Sequence, residues 1–253
     1  MSEPILTVSG LTKTFKLQGR DDVHAVKDVT FDLMPGECLG LIGESGSGKT
    51  TLVNLITGLL PATSGTVVLD GVEVTKCRGR ELRRAWKKMQ VVFQTPTESF
   101  DPRRTLGDGI MESVRNNGVS QTDALNRAED LLELCGLPKE FVRRYPHEVS
   151  GGQCQRAAIA RALAIEPKLL ICDEATSALD VTIQAEIIEL LRKLRKEIDM
   201  SILFVCHDIA LVQQFCDRLL VMYHGEIVEQ GVPSEVIDAP KNPYTQDLIN
   251  SIL

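Results

Sequence analysis

Alternating apolar and polar residues mark the first clear strand of the chain. Residues 29–33 read V-T-F-D-L, which predicts a half-buried strand, and Pro35-Gly36 then predicts a turn. The apolar run 38–42 follows, and after Gly43 the apolar spacing becomes helical until Pro61. The sequence therefore predicts a strand, a glycine-rich loop and a helix in direct succession.

The middle of the chain has a different pattern. Residues 66–69, before Asp70-Gly71, and residues 89–93 predict two more short strands. From about residue 95 to residue 154 strand patterns are missing. Ser120, with Asp123 three residues later, resembles a capping box and predicts a helix that Gly136 and Pro138 end. We therefore expect a helical insertion of about 60 residues.

Strand patterns return in the last third of the chain. Residues 168–172 and 201–206 are continuous apolar runs, typical of parallel strands buried on both faces. Between them Asp180 is the expected cap of an amphipathic helix with a predicted Glu189–Lys193 pair. Its predicted apolar side consists of Ile183, Ile187, Leu190, Leu191, Leu194 and Ile198. Residues 219–222 and 226–229 predict a hairpin, followed by a helical tail. This alternation favours a doubly wound α/β sheet.

Composition narrows the possible functions. The 253 residues include 28 Lys plus Arg against 35 Asp plus Glu, for a net charge of −7, which argues against a general nucleic-acid-binding domain. The basic run 78–88, which holds Trp86, is better interpreted as a solvated helix face. No apolar run approaches the roughly 18 residues of a bilayer span, and no secretion signal is evident. Seven scattered cysteines indicate free thiols, and we interpret Cys154 as a packing residue.

Phosphate chemistry is indicated by residues 43–50, which fit G-x-x-x-x-G-K-[ST] between a predicted strand and a predicted helix. Glycines allow backbone N–H groups to surround an anion, Lys49 supplies an ammonium group for the β and γ phosphates, and Thr50 can ligate Mg²⁺. The predicted nucleotide-binding residues here are Gly43, Glu44, Ser45, Gly46, Ser47, Gly48, Lys49, Thr50 and Thr51.

A second candidate site follows the apolar run 169–172. Its acidic residues, Asp173 and Glu174, stand where an open α/β sheet places its ligands. Asp173 is suited to hold Mg²⁺, and Glu174 to polarise the water that attacks the γ phosphate. His24, His147 and His224 have no comparable support, and we interpret them as surface or loop residues.

The segment Ser150-Gly151-Gly152-Gln153 precedes another predicted helix and is a second helix N-terminus able to receive an anion. With it, the chain resembles the ATP-binding cassette (ABC) family, whose signature reads S-G-G-Q. The resemblance covers nearly the whole chain. Its further motifs are the phosphate loop, the Q-loop Gln94, the acidic strand end, a D-loop at 177–180 and the switch histidine His207. Phe15 matches the position of the aromatic residue that stacks on adenine.

The resemblance implies an α/β fold in which a P-loop NTPase core carries an antiparallel β subdomain and an inserted α-helical subdomain. We expect one ABC ATPase domain, in which residues 1–94 and 155–235 form the core with the β subdomain. Residues 95–154 would form the helical subdomain with the signature, and 236–253 a C-terminal helical tail.

The resemblance also implies a mechanism. Two cassettes sandwich two ATP molecules head to tail, so that the signature residues of one subunit meet the nucleotide held by Lys49 of the other. Glu174 is implied as the general base and His207 as a contact of the γ phosphate. Gln94 is implied to touch Mg²⁺ or the lytic water. The expected catalytic residues are thus Glu174, His207, Gln94 and Lys49, and the expected metal-binding residues are Thr50, Gln94 and Asp173.

Residues 95–107, 173–185 and 242–245 resemble the peptide, opine and nickel importer ATPases. This implies an importer ATPase for oligopeptides, nickel or related solutes at the cytoplasmic face of the membrane. Its expected partners are a second ABC ATPase subunit, two transmembrane permeases and an extracytoplasmic solute-binding protein, with no direct nucleic-acid contact. The alternative is a soluble ABC ATPase that remodels a nucleic-acid, ribosomal or metal-cluster-assembly complex without a permease. The acidic charge disfavours this alternative.

Overall fold

Two β-sheets and the helices around them form the structure, a computed structural model that describes residues 3–16, 19, 21–95, 99–176 and 179–251. The strands are β1 Leu6–Phe15, β2 Val23–Leu33, β3 Cys38–Ile42, β4 Ser64–Leu69, β5 Val72–Glu73, β6 Met89–Val92, β7 Leu169–Asp173, β8 Ser201–Val205, β9 Arg218–Tyr223 and β10 Glu226–Gly231. The helices are α1 Lys49–Ile56, α2 Arg80–Lys88, α3 Leu106–Arg115, α4 Gln121–Leu134, α5 Gly151–Leu163, α6 Val181–Ile198, α7 Ile209–Phe215, α8 Pro233–Asp238 and α9 Pro243–Asn250.

The six-stranded sheet has the order β10-β9-β3-β8-β7-β6, with parallel pairing from β9 through β6. Every residue of β3, β7 and β8 is buried, as their continuous apolar runs predict. Because parallel strands end at one edge, the loops after Ile42, Asp173 and Val205 emerge side by side. The register fixes this alignment, with Asp173 beside Val205. Candidate functional residues from three segments that are distant in sequence thus lie at one edge of the sheet.

The second sheet is antiparallel and four-stranded, in the order β2-β1-β4-β5. Strand β1 is not evident as a separate element in the sequence. Its pairing register with β2 shifts between Val8 and Leu11, and the apolar alternation is interrupted there. Gly10 lies in this interruption with φ 58°, a left-handed conformation suited to glycine. The implied antiparallel β component of the fold is therefore confirmed.

Helices occupy the described residues between β6 and β7. Helix α3 begins with a capping box of Thr105 and Asp108, and α4 begins at the predicted Ser120, whose Oγ accepts the amide hydrogen of Asp123 at 3.1 Å. With α5 they bury an apolar face that is continuous with the core on one side of the parallel sheet. The second core lies on the other side, beneath α1 and the antiparallel sheet. The exact subdomain limits stay a prediction.

Helix α6 differs from its prediction in two details. Asp180 caps it as expected, accepting from the Ile183 amide at 3.0 Å. However, Ile198 at its last turn is 43% exposed, so the apolar side is shorter than predicted. The predicted Glu189–Lys193 pair is also wrong: Glu189 pairs with Arg192, and Lys193 with Glu197 at 3.8 Å. Exposed ion pairs differ little in free energy, so residue spacing alone does not predict which pair forms.

The seven cysteines are free and buried, in agreement with the sequence interpretation. Cys154 is completely buried, as a packing residue would be. Among the described residues, none of the helices has the length and apolar character needed to cross a bilayer.

Candidate functional site

The phosphate loop connects β3 to α1 and has glycine where no side chain fits. Gly43 has φ 154°, and a Cβ there would lie 2.2 Å from the carbonyl oxygen of Met222. Gly48 has φ 109°, and its Cβ would lie 2.3 Å from the carbonyl oxygen of Ala25. Both ends of the loop therefore pack closely against neighbouring backbone, and glycine is the residue that fits at both positions.

The side chain of Lys49 reaches back to the start of the phosphate loop. Its Nζ donates to the carbonyl oxygens of Gly43 at 2.7 Å and Glu44 at 2.9 Å, and the residue is 5% exposed. Burial lowers the pKa of the ammonium group, while the nearby carboxylates of Glu174 and Asp173 oppose that shift. The cation is thus held within the loop, at the point where a phosphate chain is expected.

Asp173 ends β7 as a buried carboxyl group, 6% exposed. Burial and the charge of Glu174 raise its pKa to about 6, and Lys49 opposes this. Its Oδ1 has no hydrogen-bond partner among the described residues. Asp173 lines the same cavity as Thr50, and a carboxyl group with an unpartnered oxygen beside a hydroxyl-bearing residue suits a hard divalent cation. The predicted metal site therefore fits the residues present.

Glu174 follows directly in a left-handed conformation with φ 50°, which is uncommon for a residue with a side chain. Its amide donates to the carbonyl oxygen of Val205 at 2.9 Å and ties the turn to β8. Backbone strain of this kind costs about 1–3 kcal/mol and persists where surrounding structure holds it, often at functional sites.

Two adjoining cavities meet at this edge and share Ser45, Thr50 and Glu174. The first, of about 510 Å³, extends along the phosphate loop and is lined by Val23, His24, Ala25, Lys27, Ser45, Gly46, Gly48, Lys49, Thr50, Thr51, Glu174, His224 and Gly225. The second, of about 540 Å³, is lined by Ser45, Thr50, Phe93, Gln94, Thr95, Ser99, Asp173 and Glu174. The structure thus brings together the phosphate loop, Gln94 and the acidic strand end.

Phe15 and His207 lie outside both sets of lining residues. Phe15 ends β1, is 37% exposed and pairs with Val23, which does line the first cavity. The ammonium group of Lys13 lies 5.1 Å from its ring centroid. His207 is exposed after β8. Their predicted contacts with adenine and with the γ phosphate stay predictions.

The signature segment also lies outside both cavities of its own chain. Ser150 caps α5: its Oγ accepts from the Gln153 amide at 3.3 Å, and its own amide donates to Gln153 Oε1 at 2.9 Å. Gly152 is packed so closely that a Cβ would lie 2.6 Å from Cγ2 of Ile183. Ser150, Gly151 and Gln153 remain at the surface. Of the predicted D-loop, Ser177 and Ala178 lie outside the described residues, as do 96–98 of the segment after Gln94.

Sequence reasoning missed the contribution of the hairpin β9–β10. His224, interpreted as a surface or loop residue, is exposed in the hairpin turn, and it also lines the first cavity, as does His24. The amide of Gly225 donates to the carbonyl oxygen of Ser47 at 2.9 Å, so the hairpin turn holds the loop. The His224-Gly225 turn was visible in the sequence, but no local pattern relates it to a loop so far away in the chain.

The fold and this loop define a nucleotide-binding protein of the phosphate-loop class. A family model described as ABC transporter matches residues 26–177. The "putative peptide import ATP-binding protein" of Brucella ovis is 41% identical over 98% of this chain and 78% of its own length. The glutathione import ATP-binding protein GsiA of Pectobacterium atrosepticum is 44% identical over 99% of this chain, which spans 41% of that longer protein.

Solved structures agree with these sequence matches. CbiO1 of Clostridium perfringens, part of the ABC transporter complex cbiONQ, has a TM-score of 0.84 at 29% identity, covering 94% of this chain and 92% of its own. The ATP-binding cassette MJ0796, as a dimer in a post-hydrolysis state bound to ADP and Pi, has a TM-score of 0.82 at 31% identity, covering 90% and 98%. The chain belongs to the ABC transporter family, as an ATP-binding, ATP-hydrolysing cassette.

Proposed function

We propose that this chain is the ATPase subunit of an importer for oligopeptides or related solutes. The observation that carries the proposal is the match, at 41% identity over 98% of the chain, to a protein named for peptide import. The relative named for glutathione import supports a peptide-like solute as well. Neither name supports nickel, which the sequence left open beside peptides, nor the alternative of a soluble remodelling ATPase.

In the proposed mechanism, amides of residues 45–50 would surround the β and γ phosphates of ATP, while the amide of Glu44 is bound to Tyr244. Lys49, already buried in the loop, neutralises charge on these phosphates. Thr50, Asp173 and Gln94 would hold Mg²⁺, which neutralises phosphate charge when bound. Glu174, at the boundary of both cavities, takes the proton of the attacking water. Phe15 would stack on adenine, and His207 would contact the γ phosphate.

The signature supports a two-subunit site. Since Ser150 to Gln153 lie outside the cavities of their own chain, a second cassette would supply its signature to the nucleotide bound here. We further propose two permease subunits and an extracytoplasmic solute-binding protein as partners, with the ATPase held at the cytoplasmic face by the permeases. Closure of the cassette pair on ATP would drive the permeases, and hydrolysis would reopen it.

Substitution Glu174→Gln tests the hydrolytic part of this proposal. The variant keeps the size of the side chain but removes the base, so ATP turnover should fall by about 10²–10⁴-fold while ATP binding is retained. Phosphate release and equilibrium ATP binding measure the two quantities. The matched control is Glu140→Gln at an exposed position of the helical segment. Turnover within a few-fold of the parent would remove Glu174 from the role of base.

Uptake tests the transport part separately. Cells whose only copy carries Glu174→Gln should lose uptake of a radiolabelled tripeptide, because transport depends on hydrolysis, while Glu140→Gln cells retain it. Unchanged tripeptide uptake beside a dead ATPase would refute peptide import but leave the ATPase assignment intact.

A further inference from the structure

The first peptide unit of the phosphate loop is held at both of its ends. The carbonyl oxygen of Gly43 accepts from Lys49 Nζ at 2.7 Å. The amide of Glu44, in the same peptide unit, donates to the hydroxyl oxygen of Tyr244 at 3.0 Å. A peptide unit is planar, so a bond to the N–H restrains the orientation of the C=O. Tyr244 and Lys49 therefore act on one rigid group, although Tyr244 and Glu44 are 200 residues apart in the chain.

Tyr244 is itself fixed in position. Its ring stacks on Tyr223, the last residue of β9, with centroids 3.9 Å apart and planes inclined by 24°. Its amide donates to Asn242 Oδ1 at 2.9 Å, which caps α9. The carboxylate of Glu229 on β10 accepts from the amides of Lys241 at 2.8 Å and Asn242 at 3.0 Å. The start of α9 is thus tied to the hairpin that also contacts the loop.

The hairpin β9–β10 restrains the rest of the loop. The Met222 carbonyl leaves no space for a side chain at Gly43, and Gly225 binds the carbonyl oxygen of Ser47. These contacts use backbone and limit loop position. The N–H and C=O groups of the Gly43–Glu44 peptide are bound separately, by Tyr244 of α9 and by Lys49.

We propose that Tyr244 is a positioning residue of the nucleotide site: its hydroxyl orients the Gly43–Glu44 peptide, which in turn places the ammonium group of Lys49 for phosphate binding. The C-terminal helix α9 thereby contributes to nucleotide affinity without touching the nucleotide. This inference goes beyond the proposed transport function and does not depend on the solute.

Substitution Tyr244→Phe isolates the hydroxyl, because the ring can keep its stack on Tyr223. Removing a neutral hydrogen bond should weaken ATP binding by about three- to tenfold. Titration of the full chain with methylanthraniloyl-ATP in EDTA gives the Kd without hydrolysis. In steady-state assays KM for ATP should rise with kcat within about twofold, since the base Glu174 is unaltered. Deuterium exchange at the amide of Glu44 should also accelerate.

Tyr223→Phe is the matched control, since it removes a hydroxyl from the other ring of the same stack and should leave the Kd unchanged. Lys49→Ala is the reference for the site itself and should weaken binding more than Tyr244→Phe. An unchanged Kd in Tyr244→Phe, or a lower kcat with an unaltered KM, would overturn the positioning role. Unimpaired binding by Lys49→Ala would instead refute the site, so the two failures are distinguishable.

Discussion

At the scale of single residues, Asp173 combines a proposed metal-binding position with an energetic cost. Its pKa is raised to about 6, chiefly by burial. A carboxyl group with a higher pKa in the folded state binds its proton more tightly there. The free energy of unfolding therefore falls as pH rises from the unfolded pKa, about 3.9, through the folded value of about 6. Above that pH the metal-free protein carries a buried, destabilising charge.

Asp173→Asn should consequently stabilise the metal-free protein while removing a proposed ligand of Mg²⁺. In EDTA near about pH 8 we expect the free energy of unfolding to rise by about 1–3 kcal/mol. Near about pH 4 the gain should be small, because the folded Asp173 is protonated there and the unfolded one is only about half ionised. Urea denaturation at a series of pH values measures this. Exposed Asp22→Asn is the control. In contrast, Mg²⁺ with ATP should stabilise the parent protein more than the variant. A variant less stable than the parent at about pH 8 would contradict the argument.

Candidate site residues were largely predictable where they occupy consecutive positions in the sequence. The phosphate loop and the Asp173-Glu174 pair each occupy consecutive positions after an apolar strand, so pattern and chemistry coincide. His224 and Tyr244 were not assigned to the site, because their relevance comes from contacts made across the fold. A tyrosine can pack through its ring and form a hydrogen bond through its hydroxyl group, and the sequence does not show which of these contacts it makes.

At the scale of elements, the carboxylate of Asp70 links the β4–β5 turn to α2 and to the start of β7. Asp70 lies in the turn between β4 and β5, and its carboxylate binds Lys88 at the end of α2 at 2.6 Å and Lys168 before β7 at 2.9 Å. The hydrogen bonds from Lys88 and then Lys168 lower the pKa of Asp70. Its φ of 45° is one that asparagine also tolerates. The turn can therefore be tested for charge without changing its conformation.

Asp70→Asn should lower the free energy of unfolding by about 1 kcal/mol at neutral pH, since exposed pairs are individually weak. Because the folded pKa is depressed, the contribution is present above the unfolded pKa of about 3.9 and is lost as pH falls through the folded value. Thermal or urea unfolding at neutral pH and at about pH 2 measures the difference. High salt should also reduce it. A pH-independent loss would show that shape, and not charge, is responsible.

Elements were predictable in proportion to the regularity of their patterns. The strands β3, β7 and β8 are uninterrupted apolar runs, and the caps Ser120 and Asp180 are local hydrogen bonds, so both were found. The strand β1 was missed as a separate element because its pairing register shifts around Gly10. Helix α7, only seven residues long and capped by Asp208, carries too short a pattern to stand out.

At the scale of the whole molecule, the position of the signature is the decisive feature. Ser150 caps α5 at the surface and is not among the lining residues of either cavity of its chain. If a second cassette completes the site, the ATPase rate should rise faster than linearly with enzyme concentration while monomers predominate. Dilution series with analytical ultracentrifugation measure this. A strictly linear rate among monomers would refute the two-subunit site.

Ser150→Arg tests the same surface directly. The large cation should block the partner's nucleotide, so cooperative turnover should fall on the order of 100-fold, while ATP affinity of the isolated subunit is unchanged. The control is Ser120→Arg, which removes an equivalent helix cap on α4, at a cost of about 1 kcal/mol, away from the signature. Equal loss of turnover in both variants would attribute the effect to stability.

The sequence by itself determined the class of chemistry, because the glycines, Lys49, Asp173 and Glu174 stand in short contiguous motifs whose spacing follows from backbone geometry. It also determined the buried parallel strands, since burial on both faces requires apolar runs. Only the tertiary structure decided how residues far apart meet. The Met222 carbonyl lies against Gly43, the hydroxyl of Tyr244 accepts from the Glu44 amide, and the signature lies outside the lining of the cavities of its own chain. Such contacts depend on the order of the strands and on packing, which local patterns of apolar and polar residues do not specify.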